Sequence, residues 1–228
     1  MNKHFKILLI VFVGTIIFSF HQSTRHRVQM IFKREKALFE TIISDGKPNL
    51  QLCYIHRGEI LGLRQAVAYT SLHSIDKDVQ KAFYINAYNL AVIAELNEHY
   101  PIESIEDTEG FFTLDEFMVA KNKYNIKSLR RHIFEKFNDP RVHFALYLGG
   151  ISSPKMPMSA FYHEQVEKQL TDITTAFVND LTCVKIKTRS KMVLLPEFML
   201  WSKKDFDVND KQEFLKYINV FRSEAKQI

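Results

Sequence analysis

Ala82–Ala94, AFYINAYNLAVIA, is the stretch of sequence that decides the fold. Its only strongly polar residues are Asn86 and Asn89, so a helix formed here is apolar on every side, and such a helix belongs in the middle of a domain. The two asparagines are three residues apart and share one face of that helix, where each amide needs hydrogen-bond partners. Those partners are either neighbouring backbone groups or the groups of a site, and the sequence leaves both open.

Helices and hairpins are predicted around this central helix, which should run from about Asp76 to His99. Apolar periodicity and turn signals predict helices at 27–43, 63–72, 128–137, 161–179 and 211–221, irregular chain at 50–63, and hairpins at 117–126 and 184–195. The alternating run from Val142 to Leu148 predicts a strand. The predicted fold class is therefore α+β: a helix-rich amino-terminal half on a small, mostly antiparallel sheet built from that strand and the two hairpins.

Composition predicts one globular domain over residues 25–228. The chain has 228 residues, of which 46% are hydrophobic and 25% charged, with 19 Phe and 9 Tyr. These values are typical of a well-filled core and exclude a disordered chain. The first 36 residues contain seven basic residues and one acidic residue, so the rest of the chain has a net charge of −1. A nearly neutral folded part argues against a nucleic-acid partner.

The amino terminus has the pattern of a membrane-targeting segment. Residues 5–20, FKILLIVFVGTIIFSF, contain one charge, at Lys6. The segment is slightly short for a membrane span and no small-residue cleavage site follows it cleanly, so an anchor is favoured over a removed signal and residues 1–24 are assigned to either. The sequence thus predicts one amino-terminal membrane segment and the membrane as a partner through residues 5–20.

No metal or cofactor is predicted. Cys53 and Cys183 are 130 residues apart, which does not match any zinc-ligand spacing. They are either two buried free thiols or, in an exported domain, a pair. His163 and Glu164 have no third metal-type residue at a fixed spacing and are interpreted as surface residues.

The stretch Asp139–Pro154, DPRVHFALYLGGISSP, is the predicted site. Its strand would end at Gly149 and Gly150 and present Ser152 and Ser153 in an exposed turn. On that strand, His143 would point away from the aliphatic face. A buried histidine satisfied by neighbouring groups remains the alternative to a catalytic one, and the serines are also ordinary turn residues. Arg141 is expected to pair with a carboxylate, for which Asp205 is one candidate.

Four ordered motifs resemble the uncharacterised family DUF547. They are FYINAYN at 83–89, FNDPRVHFAL at 137–146 followed by GGISSP, EQVEKQL at 164–170 and LLPEFMLWSKKDF at 194–206. The resemblance covers about Ile75 to Phe206. It implies an export signal, as often found in bacterial members, and hence a location facing the periplasm or the cell exterior.

The resemblance also implies positions for a reactive site. Many members have a Cys where this chain has Ser153, and that Cys with a histidine and helix asparagines suggests papain-like or transglutaminase-like acyl transfer or hydrolysis. Carried onto this chain, the catalytic residues are His143, Ser153, Asn86 and Asn89, in a cleft lined by Tyr88, Arg141, Gly149, Gly150 and Ser152. The ligand would be an unknown peptide, protein or small molecule.

Two hypotheses about function follow. In the first, a membrane-tethered, extracytoplasmic protein keeps the chemistry with a serine as an altered nucleophile, which needs a strong base because its hydroxyl is protonated at neutral pH. In the second, a non-catalytic binding module keeps the cleft and has lost the chemistry. Whether the protein is an enzyme is left open.

Overall fold

The computed structural model describes residues 24–102, 105, 108–150, 153–187 and 192–223, except the side chain of residue 201. Residues 24–42 are helical (α1). The elements that follow are β1 Ile43–Ser44, β2 Lys47–Pro48, α2 Leu50–Ile55, α3 Arg57–Tyr69, α4 Lys77–Glu98, β3 Phe117–Val119, β4 Asn122–Tyr124, α5 Ile126–Phe137, a 3₁₀ helix Pro140–Phe144, α6 Val166–Asn179, β5 Lys185–Lys187, β6 Met192–Leu194, α7 Glu197–Trp201, a 3₁₀ helix Lys203–Phe206 and α8 Lys211–Val220.

Helix α4 is the centre of the fold. Every residue from Lys81 to Leu96 is buried, and α2, α3, α5 and α6 all pack against it. A helix surrounded in this way needs apolar residues on all sides, which is the pattern of its sequence. The prediction of a central helix from Asp76 to His99 is confirmed.

The predicted sheet is wrong. The strands form three separate antiparallel two-stranded ladders, β1 with β2, β3 with β4 and β5 with β6. The two predicted hairpins are present, although the second strand of the first one begins at Asn122. The fold is α+β, with helices packed around α4 and small hairpins among them, and the described residues contain no sheet of more than two strands.

The predicted strand at 142–148 is also wrong, because the segment begins as a 3₁₀ helix. The Asp139 side chain accepts a hydrogen bond from the backbone N–H of Arg141, and Pro140 occupies the first turn, where its missing N–H costs nothing. Val142, His143 and Phe144 are all buried. The alternation therefore did not separate two faces of a strand, and the predicted separate face for His143 does not exist.

The predicted fold class also included a membrane segment. Within the described part of the chain, no helix is long and apolar enough to cross a membrane. The predicted segment at 5–20 lies outside the described residues. The described fold therefore contains no membrane-spanning helix.

Helix boundaries differ from the predictions where caps decide them. Helix α5 begins at Ile126 because Asn125 and Ser128 form a reciprocal capping box, so Ser128 lies at the third helical position and not at the cap. The segment 50–63, predicted as irregular, forms α2 and most of α3. The last helix agrees with its prediction to one residue.

Two apolar clusters fill the interior. The main core surrounds α4. A second core, near the carboxyl end, is formed by buried residues of several elements: Phe144, Phe177, Val178, Cys183, Val184, Phe198, Met199, Phe206, Phe214 and Ile218. Val142 belongs to the main core and Phe144 to the second, so the Pro140–Phe144 3₁₀ helix joins them.

Candidate functional site

Asn89 holds the segment that follows the Pro140–Phe144 helix against α4. Its Oδ1 accepts a hydrogen bond from Tyr147 N at 3.1 Å, and its Nδ2 donates to Ala145 O at 2.9 Å. Asn89 is completely buried. An amide side chain can satisfy one backbone N–H and one C=O at once, as a neighbouring strand would. Asn89 therefore gives Ala145 and Tyr147 the hydrogen bonds that a neighbouring strand would have given them in a sheet.

Asn86 lies three residues before Asn89 on the same face of α4 and holds a second segment, at Phe161, against this helix. Its Oδ1 accepts from Phe161 N at 2.8 Å and its Nδ2 donates to Phe161 O at 3.0 Å and to Glu35 Oε2 at 3.1 Å. The two amides of the FYINAYN motif thus have backbone partners, and they hold the segments before Gly149 and after Pro154 against α4. These hydrogen bonds explain why the buried helix contains two asparagines, and they require no catalytic role for either one.

Glu35 is a carboxyl group buried in the main core, from α1. Its side chain is fully buried, and its Oε1 has no hydrogen-bond partner. Burial raises the pKa of Glu35 to about 8, against the opposing effect of the Asn86 hydrogen bond. Glu35 is therefore protonated and neutral at pH 7.

We expect Glu35→Gln to become more stable relative to the unchanged protein as pH rises. The pKa of Glu35 is raised on folding, so its contribution to stability is complete below its unfolded pKa of about 4.5 and is lost towards about 8. Glutamine does not titrate, so the difference in unfolding free energy should grow by roughly 1 kcal/mol per pH unit over this window. Urea denaturation of both proteins at pH 5, 6.5 and 8 measures it. Glu98→Gln, which removes an exposed carboxylate, is the control, and equal curves for the two variants contradict the prediction.

His143 lies between aromatic rings. The ring centroids of His143 and Phe134 are 3.7 Å apart at 17°, and those of His143 and Phe206 are 5.1 Å apart at 17°. Only 1% of His143 is exposed. Burial lowers its pKa to about 4, although the hydrogen bond with Asp205 acts in the opposite direction. His143 is therefore neutral at physiological pH.

Both ring nitrogens of His143 are occupied. Arg130 Nη2 lies 3.1 Å from Nδ1, and Nε2 lies 3.0 Å from Asp205 Oδ2. A guanidinium only donates hydrogen bonds, so Nδ1 accepts and Nε2 carries the proton that is donated to Asp205. A general base needs an unoccupied ring nitrogen facing the group that it deprotonates. His143 has none in this arrangement, and it acts as a support that orients Arg130.

The predicted nucleophile has other partners. Ser153 Oγ donates to Pro154 O at 3.2 Å, and Ser153 N donates to Gly150 O at 3.0 Å. Ser152 lies outside the described residues. Among the described residues, no hydrogen bond joins Ser153 to His143 or to either asparagine. The four residues assigned to catalysis therefore do not form a hydrogen-bonded set.

Gly149 and Gly150 turn the chain after Leu148. Gly149 has φ +82°, and a Cβ at this position would collide with the Ile105 side chain, so only glycine fits without strain. Gly150 faces open space. Gly149 also lines a small cavity of about 200 Å³ with Tyr147 and Ile105 among its walls.

A larger cavity of about 350 Å³ lies beside this turn. The described residues that line it are Tyr88 of α4, Phe112, Lys127 and Arg130 of α5, and Leu148. The ring of Tyr88 is completely buried, and its hydroxyl donates to Tyr147 O at 3.2 Å. The volume is within the range of small-molecule sites, and apolar walls with a few polar groups are typical of them.

Arg141, which was predicted to line the cleft, is not among the described residues that line this cavity. Its Nε and Nη2 bind the two oxygens of Asp139 at 3.0 and 2.7 Å, and it also donates to Glu167. Lys81 Nζ lies 3.1 Å from Asp139 and 2.5 Å from Glu167. Arg141 pairs with a carboxylate, as predicted, but the candidate Asp205 was wrong, since Asp205 hydrogen-bonds to His143 and Arg141 pairs with Asp139. We call Lys81, Asp139, Arg141 and Glu167 the charge cluster.

Most of these residues lie inside the part of the chain that matches a known family. Residues 72–178 match DUF547. The description of that family is a protein of unknown function. The predicted resemblance to DUF547 is confirmed. No curated protein and no solved structure matches the chain.

The DUF547 match contains Asn86, Asn89, His143, the charge cluster and the five described residues that line the larger cavity. It does not contain Asp205 or Ser202, which complete the support of Arg130: Ser202 Oγ accepts from Arg130 Nη2 at 3.1 Å. Arg130 was not predicted as a site residue. A signal was present, since Lys127 and Arg130 are three residues apart and share one helix face, but the sequence did not show that this face borders a cavity.

One group of potential metal ligands is present in the described chain. Glu95, His99 and Asp115 each bring a ligand atom within 4.8 Å of the others. Glu95 is buried, whereas the other two are exposed, and burial together with the neighbouring Asp115 raises the pKa of Glu95. These residues could hold a cation, but they are also satisfied by one another through the His99–Glu95 bond of 3.1 Å.

Proposed function

We propose that this DUF547 chain is a non-catalytic binding module, whose ligand site is the cavity beside Tyr88. The observation that carries the proposal is the state of His143, whose two ring nitrogens are engaged by Arg130 and Asp205. Such a module keeps the fold around the cavity but has no histidine nitrogen available as a general base. The cavity of about 350 Å³ then provides the place for a small ligand.

The acyl-transfer hypothesis is less well supported by the same geometry. A serine hydroxyl is activated by an adjacent base within about 3.2 Å. The Ser153 hydroxyl donates its hydrogen bond to the carbonyl of Pro154, which cannot serve as a base. An extracytoplasmic location is proposed from the sequence alone, because residues 5–20 lie outside the described residues.

We expect Ser153→Cys to be alkylated at the rate of an ordinary thiol. If no base acts on position 153, the rate of reaction with iodoacetamide should follow an unperturbed thiol pKa of about 8.5. Burial raises the pKa of Cys53 to about 11 and also raises that of Cys183, so the unchanged protein supplies a low background. The pH dependence of the alkylation rate is the measurement.

Ser71→Cys is the matched control, because Ser71 is a half-buried serine in a loop outside the predicted site. Equal pH profiles for the two new thiols support the binding module. A depressed thiol pKa at position 153 that returns to normal when His143→Gln is added would instead support the acyl-transfer hypothesis and overturn the proposal.

A further inference from the structure

The chemistry of the cavity walls indicates what it binds. Tyr88, Phe112 and Leu148 give it three apolar walls. A ligand that replaces water on these walls gains free energy in proportion to its buried apolar area. The body of the ligand should therefore be apolar.

The two charged residues in the described lining of the cavity are both cations. Its polar lining residues are Lys127 and Arg130, and the described lining residues include no carboxylate. Lys127 is exposed, so its ammonium can reach a group at the mouth, whereas Arg130 is partly buried in the wall. Apolar walls reduce the screening of such charges by water, which strengthens their attraction for an anion.

The support of Arg130 keeps that charge in place. Its Nη2 donates to both His143 and Ser202 at 3.1 Å, and its guanidinium lies 5.8 Å from the centre of the Phe134 ring. A cation that is already oriented loses little entropy when it meets a ligand. His143 and Asp205 thereby act as positioning residues for a cation in the cavity wall.

We propose that the cavity binds a small amphiphilic anion, an apolar body with a single anionic head group that lies between Lys127 and Arg130. This deepens the proposed function and rests on it. The apolar body contacts Tyr88, Phe112 and Leu148, and the head group faces the mouth. Neutral ligands of the same shape bind more weakly, and cationic ligands are repelled.

The test compares three probes with the same eight-carbon chain and different head groups: octanoate, 1-octanol and octylamine. Isothermal titration calorimetry with the full chain at pH 7 and low salt measures each affinity. We expect octanoate to bind at least about tenfold more tightly than 1-octanol, since charge-assisted contacts are stronger than neutral ones, and octylamine to bind weakest.

Two variants and a control locate the effect. Lys127→Gln should reduce the affinity for octanoate about tenfold and leave that for 1-octanol unchanged, while Arg131→Gln, an exposed cation of the same helix that does not line the cavity, should change neither. Leu148→Trp fills the cavity and should abolish binding of both probes, with the melting temperature showing that the variant is folded.

Equal affinities for octanoate and 1-octanol, both lost in Leu148→Trp, would overturn the anionic head group and leave the binding module standing. No binding of any probe to the folded protein, or binding that Leu148→Trp does not alter, would overturn the ligand class and its place. The failure of the proposed function itself has a different signature, the depressed thiol pKa of Ser153→Cys.

Discussion

Lys81→Met is expected to destabilise the protein by about 3 kcal/mol, because it removes one cation from the charge cluster. The Lys81 side chain is only 8% exposed and that of Asp139 11%, so water does not replace the missing partner. Asp139 and Glu167 would then share Arg141 as their remaining partner in the cluster. Two carboxylates would then face one cation, so one negative charge of the cluster is left uncompensated, which is the costly case.

Lys77→Met is the matched control for this prediction, since Lys77 is exposed and lies one turn earlier on α4. Unfolding free energies from urea titration at pH 7 give the comparison. The control should change stability by no more than about 0.5 kcal/mol. If the two variants lose the same amount, the charge cluster contributes no net stability and the argument from burial fails.

A second large loss, also about 3 kcal/mol, is expected for Asn89→Leu. Leucine has a similar volume but no hydrogen-bonding groups, so the N–H of Tyr147 and the C=O of Ala145 lose their partners in the interior. Each orphaned group costs roughly 1–3 kcal/mol. The same change should loosen Leu148, which is the next residue along the chain and a wall of the larger cavity.

Asn97→Leu separates this effect from the general cost of the substitution. Asn97 is on the same helix, and its Oδ1 is buried without a hydrogen-bond partner. Replacing this oxygen by the leucine side chain therefore removes no hydrogen bond that it made. Chemical denaturation of both variants should therefore show a loss for Asn89→Leu that Asn97→Leu does not match. Equal losses would mean that the two hydrogen bonds of Asn89 contribute no measurable stability.

The sequence predicted the elements whose evidence is local. Helix α4 was predictable because its residues are apolar on every side, and the hairpin of β5 and β6 because alternation flanks a polar turn. The DUF547 resemblance was visible in motifs that are continuous in the chain. The strand predicted at 142–148 was wrong because alternation alone does not supply a neighbouring strand. The Asn89 side chain makes the hydrogen bonds that such a strand would have made.

The candidate site depended on contacts between distant residues, which the pattern does not encode. His143 and Asp205 are 62 residues apart, and Arg130 meets Ser202 across 72. Asp205 was one candidate partner for Arg141, but the Asp139 carboxylate is only two residues away and pairs with Arg141 with almost no loop to close. The sequence thus pointed to His143, Arg141 and Asp205 but not to Arg130 or Ser202, and the pairing of these residues required the packing of α5, the 3₁₀ helix and the carboxyl-terminal segment.

The position of Phe144 bears on where an autonomous folding unit of this protein ends. The family match stops at Val178, yet the Phe144 ring contacts those of Phe198 and Phe206 with centroid distances of 6.0 Å. A fragment cut at the end of the match would lose most of the second core and would expose the Phe144 ring, with Phe177 and Val178, on its surface. The boundary of sequence similarity is therefore not a boundary of cooperative unfolding, and the minimal independently stable unit extends through the carboxyl-terminal helices.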